Sequence, residues 1–267
     1  MIDLRKIRLF LFDMDGTLYL GDQLFPPCRE LLDTIRRQGK RYLFMTNNSS
    51  KSVGDYVAKM ERLGVPAKEE DFLTSSQATA GYLAEHYPTA KIYLAGTRSF
   101  EKELKSHGLT VVTRREEGIG CVVCGFDTEL TFAKLEDLSI LLTGSDTPFI
   151  ATNPDLVCPT EYGYVPDCGS VCQMLYNATG RKPLVIGKPS PLMPQLAQKA
   201  WGCRPEETML VGDRLYTDIA CGLNAKIPTL LVLSGETDEK MAEESQFQAD
   251  QVMRDIGELL EELKKFG

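Results

Sequence analysis

No apolar run in this chain approaches the ~18 residues that a membrane-spanning helix requires, so no span is expected. No Lys/Arg-rich stripe is present either, and the net charge is -8. Nucleic acid polymers and anionic membranes are therefore not expected as partners. The start, MIDLRKIRLFLFDMDG, puts Asp13 inside what would be the apolar part of an export signal. No such signal is read there, and the cytoplasm is the expected compartment. The two histidines, His86 and His107, stand near expected helix ends, away from the other polar motifs, and neither is assigned to a metal. No GxGxxG opens the first helix. GKP at 187–189 lacks both the Gly-rich loop and the following Ser/Thr of a nucleotide P-loop, so both nucleotide fingerprints are excluded. No internal repeat or low-complexity tract is present.

Cysteine is not scarce, with eight in the chain, but its spacing is uninformative. Cys121 and Cys124 lie in the apolar run GCVVCGF with no second CxxC and no nearby histidine. Cys168 and Cys172 open an expected helix, and the other four are scattered. Reduced, mostly buried thiols are expected rather than a disulfide framework or a structural metal site.

What is present is a repeated pattern. The chain has 267 residues, 43% of them apolar and 25% charged, enough for one large domain or two modest ones with a substantial core. Short apolar runs at 7–12, 42–45, 92–95, 119–125, 149–152, 209–211 and 229–232 read as buried strands. Helical patterns alternate with them, among them 77–86, 132–143, 169–179 and 191–201, and residues 252–263 read as one closing amphipathic helix. Residues 18–25 read as a small hairpin. Such alternation predicts a doubly wound parallel sheet, an α/β Rossmann-like core. A complete strand–helix alternation separates the motifs at Thr46 and Lys188. The expectation is a discontinuous core, 1–79 with 181–267, carrying an inserted α/β cap domain at 80–180.

Four polar segments follow apolar runs: DMDGT from Asp13, TNNSS from Thr46, GKP with Lys188, and GDRLYTD with Asp213 and Asp218. Together they supply what phosphoryl transfer through an aspartyl intermediate needs. Asp13 is the candidate nucleophile and Asp15 the candidate general acid and base. Their i, i+2 spacing at a strand end aims both carboxylates at one crevice. Gly16 permits the tight turn. The Thr46 hydroxyl and the backbone N–H groups of Asn47 and Asn48 are candidate phosphate donors, with Lys188 as a fixed positive charge. Asp13, the Asp15 backbone carbonyl and Asp213 are candidate ligands of Mg²⁺, which takes an octahedral shell of oxygens. Asp218 and Arg214 are expected to shape that shell from behind. In the cap, Tyr162, Tyr164 and Asp167 are candidate substrate contacts, on a stretch read as a loop.

In this order the four motifs resemble the haloacid dehalogenase-like hydrolases, and especially their NagD-type and 4-nitrophenylphosphatase-like branch. ATNPD at 151–155 and PTEYG at 159–163 add to the resemblance. It implies a Rossmann-like core with a large C2-type cap inserted between the second and third motifs, and the same roles for Asp13, Asp15, Thr46, Lys188 and Asp213. Asp218 completes the acidic motif. The branch also implies a magnesium-dependent phosphatase acting on a small phosphorylated metabolite, such as a sugar phosphate or a nucleoside monophosphate. VPDCGS at 165–170 departs from the PGxGS expected there: Asp167 stands where glycine is the rule, facing either substrate or solvent. A phosphotransferase or phosphomutase, and a noncatalytic phosphometabolite-binding protein, are the alternatives. Such caps are compatible with a homodimer, although no heptad or interface stripe marks one.

Overall fold

The computed structural model describes residues 2–160 and 163–266; Tyr162 lies outside them. Along the chain run β1 (Leu9–Phe12), the hairpin β2 (Tyr19–Leu20) and β3 (Gln23–Leu24), α1 (Cys28–Arg37), β4 (Arg41–Thr46) and α2 (Val53–Arg62). Then come β5 (Phe72–Thr74), α3 (Ser75–His86), β6 (Lys91–Ala95), α4 (Arg98–Ser106), β7 (Thr110–Val112), β8 (Ile119–Cys124), α5 (Phe132–Leu142) and β9 (Phe149–Ala151). The hairpin β10 (Val157–Thr160) and β11 (Gly163–Pro166) precedes α6 (Cys168–Thr179), β12 (Leu184–Val185) and α7 (Leu192–Trp201). The chain closes with β13 (Thr208–Gly212), α8 (Ala220–Ala225), β14 (Thr229–Val232), α9 (Glu239–Glu244), β15 (Gln251–Met253) and α10 (Ile256–Lys264).

Two compact units result. One comprises Met1–Thr46, Tyr56–Leu73 and Lys188–Gly267; the other comprises Asn47–Asp55 and Thr74–Gly187. The first is built on a six-stranded sheet in the order β15-β14-β13-β1-β4-β5. Its central strand β1 is LFLF, buried on both faces, as parallel strands covered by helices must be. Its register fixes the functional edge. Phe12 pairs in parallel with Val211 of β13 and with Phe44 of β4. The residues that follow each partner, Asp13, Gly212-Asp213 and Met45-Thr46, therefore lie at the same carboxyl edge of the sheet, where open α/β sheets bind ligands.

The expected single helix over 252–263 is corrected. Gln251–Met253 pair in parallel with β14 as an edge strand, and the helix starts only at Ile256. Asp255 is the reason: its side chain accepts the Gly257 N–H at 2.7 Å and caps α10. The inward face of α10 is Ile256, Leu259, Leu260 and Leu263.

The second unit carries a five-stranded parallel sheet in the order β12-β9-β8-β6-β7. Its helices begin at polar caps: Thr74 with Gln77 in a reciprocal box, Thr97, Thr131 and Asp167. Its core gathers Tyr93, Val122, Leu138, Leu142, Phe149 and Leu175. The stretch read as a loop is instead an antiparallel hairpin, with Val157 opposite Pro166 and Thr160 opposite Gly163. The cysteines are free thiols, all buried except the half-buried Cys158 and Cys203. Among the described residues no helix is long and apolar enough to cross a membrane.

Candidate active site

Asp13 extends β1 by one residue, its N–H still bonded to the Val211 carbonyl at 2.8 Å. Sheet geometry therefore fixes where its carboxylate starts. Lys188, 2% exposed, reaches that carboxylate from the segment after the inserted unit. The same ammonium donates to Asp218 Oδ1 at 2.6 Å and to the Met45 carbonyl at 3.3 Å. Burial alone would lower the Lys188 pKa, but Asp13 and Asp218 outweigh it and hold the group charged.

Asp213 ends the run that β13 begins. Its Oδ2 accepts the Glu236 N–H at 2.7 Å, and the Thr17 hydroxyl approaches Oδ1 at 3.4 Å. Asp218 is fully buried, and both its oxygens are committed: Oδ1 to Lys188, and Oδ2 to the Arg214 N–H at 3.1 Å. Arg214 in turn pairs with Glu236 at 3.0 Å. The turn from Leu215 to Ile219 is wound as a π-helix that leads into α8 and returns Asp218 under the strand end.

Carboxyl oxygens of Asp13, Asp213 and Asp218 lie within 4.8 Å of one another. Burial, then the Asp218 and Asp213 charges, push the Asp13 pKa up to about 8 against the opposing pull of Lys188. Burial and Asp218 push Asp213 up to about 6, with the Glu236 N–H opposing. A cluster with this excess of negative oxygen fits a hard divalent cation held by Asp13 and Asp213. Asp218, with both oxygens engaged by nitrogen donors, is placed to orient Lys188 and the Arg214 turn.

Asp15 is exposed on the turn after Asp13. Gly16 adopts φ +86°, and a Cβ there would run into the Asp213 carboxylate, so the turn needs glycine twice over. The turn is tied down by the Gly16 N–H to the Tyr19 carbonyl and by the Ser234 hydroxyl to the Gly16 carbonyl, each at 2.8 Å. Thr46 is the half-buried last residue of β4.

Asn47 and Asn48 belong to the second unit. Asn47 Nδ2 donates to Asp155 Oδ2 at 3.1 Å, while its carbonyl accepts from Ser75 and Asn153. Asn48 Oδ1 accepts the Ser50 N–H at 2.9 Å. Tyr164 is 73% exposed on β11. Asp167 is buried, accepting the Cys168 N–H and a bond from Asn153, so the solvent-facing alternative is corrected. Burial brings its pKa up to about 7. His86 and His107 are exposed, each with Nδ1 beside a carbonyl of its own helix.

The loop after β14 was missed in the sequence. There the Ser234 hydroxyl holds the Gly16 carbonyl and the Glu236 N–H holds Asp213. A Cβ on Gly235 would strike the Asp213 carboxylate. The available signal was a glycine just beyond the carboxyl end of a core strand.

Known proteins similar to this chain share its family and fold. A haloacid dehalogenase-like hydrolase family model matches residues 10–110, and a HAD-hydrolase-like model matches residues 185–259. The chain is 35% identical over 234 residues to the 5'-nucleotidase YutF of Bacillus subtilis, covering 88% of this chain and 90% of that one. It superposes on the 4-nitrophenylphosphatase of Thermotoga maritima with a TM-score of 0.91 and 40% identity, covering 97% and 98% of the two chains. It superposes on the glycerol phosphate phosphatase of Mycobacterium tuberculosis, solved in complex with magnesium, with a TM-score of 0.90 and 31% identity, covering 98% and 79%.

Proposed function

The chain belongs to the haloacid dehalogenase-like hydrolases, and from that premise we propose that it is a Mg²⁺-dependent phosphatase of small phosphomonoesters working through an aspartyl-phosphate. The observation that carries this reading is the Lys188 ammonium, held between Asp13 and Asp218 beside Asp213 at the carboxyl edge of the sheet.

Asp13 attacks phosphorus while the ester P–O bond breaks, and Asp15 gives its proton to the departing alcohol oxygen. Asp15, now a carboxylate, takes a proton from water. The hydroxide displaces Asp13 from phosphorus, releasing inorganic phosphate and regenerating both residues. Lys188 keeps Asp13 oriented and offsets charge on the transferring oxygens, with the Thr46 hydroxyl and the Asn47 and Asn48 N–H groups as further donors. Bound at Asp13, the Asp15 carbonyl and Asp213, Mg²⁺ would neutralise phosphoryl charge and keep Asp13 ionised. The inserted unit is assigned substrate selection, with Tyr162, Tyr164 and Asp167 as its candidates. The named relatives act on a nucleotide, a nitrophenyl ester and glycerol phosphate, so the substrate is assigned to small phosphomonoesters as a class.

The test is phosphate release from a panel of phosphomonoesters with Mg²⁺ or EDTA, for wild type and Asp13→Asn. Mg²⁺-dependent release that vanishes in the variant is expected. Consumption of the ester only when an acceptor alcohol is supplied, with the phosphoryl group recovered on that alcohol and not as inorganic phosphate, would make it a phosphotransferase. Binding without turnover across the panel would make it a noncatalytic phosphometabolite-binding protein.

A further inference from the structure

Three cysteines from two distant parts of the sequence meet in the core of the second unit. Cys124 closes β8, Cys168 opens α6, and Cys172 lies one turn further along that helix. Their sulfurs all lie within 4.8 Å of one another, and those of Cys168 and Cys172 are 4.0 Å apart. Metal–thiolate bonds of about 2.3 Å around one centre hold sulfurs ~4 Å apart, so small rotations of these side chains complete a three-sulfur shell. Cys168 is the first residue of a 12-residue helix, where the N-terminal dipole favours a thiolate. Cys172, 7% exposed, is the least buried of the three.

The surroundings select the ion. The three cysteines belong to a buried cluster with Tyr93, Val122, Leu138, Phe149 and Leu175, and the Cys168 thiol donates to the Cys124 carbonyl at 3.3 Å. Among the described residues the cluster offers thiols but no ring of oxygens, which disfavours Mg²⁺ and Ca²⁺. Net charge in such a core is costly. A monovalent or divalent ion on three thiolates leaves the centre negative; a trivalent ion leaves it neutral. A disulfide, with sulfurs at about 2.05 Å, would leave the third thiol over and would require an oxidant.

We propose that Cys124, Cys168 and Cys172 form a trithiol site for a trivalent thiophilic ion, of which arsenite is the simplest aqueous form. Binding is a condensation: As(OH)₃ and three thiols give As(S-Cys)₃ and three waters. Three As–O and three S–H bonds break, three As–S and three O–H bonds form, and arsenic stays trivalent. The site is independent of the catalytic reading.

The full chain, reduced and freed of added thiol, is titrated with sodium arsenite without oxygen and read by native mass spectrometry. Uptake of one arsenic with loss of three hydrogens is expected. Cys172→Ala and Cys124→Ala should each abolish that mass change, and Cys203→Ala should bind as wild type does. Circular dichroism establishes which variants are folded. Cys172→Ala replaces the least buried thiol with a smaller apolar group, and Cys172→Ser, which keeps the size, provides the same readout should the alanine variant unfold. Unchanged uptake in any folded variant lacking one of the three thiols overturns the proposal. So does the absence of uptake by folded wild type at millimolar arsenite.

Discussion

Asp218 grips Lys188 with one carboxylate oxygen, Nζ to Oδ1 at 2.6 Å, and the Arg214 N–H with the other at 3.1 Å. Both partners are donors, so only an acceptor at each oxygen satisfies them. Asp218→Asn keeps the shape but turns an NH₂ toward one of the two. The Lys188 ammonium or the Arg214 turn must move, and displacements of this kind cost about 10²-fold in rate. Turnover should fall by that order with KM changed far less. Some stability should go too, since breaking a buried pair costs roughly 3–5 kcal/mol and Asn removes only part of it. Turnover within twofold of wild type would show that Lys188 does not depend on Asp218.

Gly235→Ala puts a methyl group into the space held by the Asp213 carboxylate. Asp213 must shift, while Asp13 and Lys188 keep their places. The expected result is a Mg²⁺ requirement raised by about 10-fold, the scale seen when groups supporting a ligand are disturbed, with turnover partly recovered at saturating Mg²⁺. Activity against Mg²⁺ concentration is the measurement. An unchanged midpoint would remove Asp213 from the metal shell.

Asp13 should make the metal-free protein sensitive to pH. Its pKa is raised from 3.8 to about 8 in the folded state. The stability tied to its proton is fully present below about 4, falls as pH rises, and is gone above about 8. Asp213, raised to about 6, acts in the same direction. Mg²⁺ competes with those protons, so its stabilising effect should grow across the same window. Melting curves at pH 5 and pH 8, with Mg²⁺ or EDTA, should show a larger metal shift at pH 8. Asp13→Asn should flatten the difference, and an equal shift at both pH values would contradict it.

Asp167→Ala should cost about 1 kcal/mol, the usual loss when an N-cap side chain is removed, because the Cys168 N–H at the start of α6 loses its acceptor. Asp167→Asn keeps an acceptor oxygen and should cost less. Denaturant unfolding of the two variants separates them, and equal losses would mean that the charge of Asp167, not its cap, is what α6 uses.

Much of the core is legible because its signals are local. Leu9–Phe12 form an unbroken apolar run, which a strand buried on both faces requires, and Asp13 stands where that run ends. The helix expected at 77–86 is α3, which starts two residues earlier, at Ser75, behind the reciprocal box of Thr74 and Gln77. The edge strand Gln251–Met253 was hidden. Val252 and Met253 stand in helical phase with Ile256, Leu259, Leu260 and Leu263, and only Asp255 marks the break. Glu236 was invisible for another reason. It serves Asp213 through its backbone N–H, a group every residue but proline possesses. The meeting of Cys124 with Cys168 and Cys172 depends on how β8 packs against α6, which no spacing in the sequence encodes.

The peptide bond between Thr46 and Asn47 is a border in the chain. Ser49 bonds the Thr152 hydroxyl at 2.9 Å and the Phe126 N–H at 2.9 Å, and the Asn47 carbonyl accepts from Ser75 and Asn153. The unit that follows β5 is thus completed by a nine-residue strip, Asn47–Asp55, delivered earlier in the chain. Recombination that transplanted only the long segment would move a unit with a missing tile, leaving buried hydroxyls and amides unmatched. Exchange between relatives has to carry both pieces, so the small strip and the large segment are expected to be inherited as a linked pair.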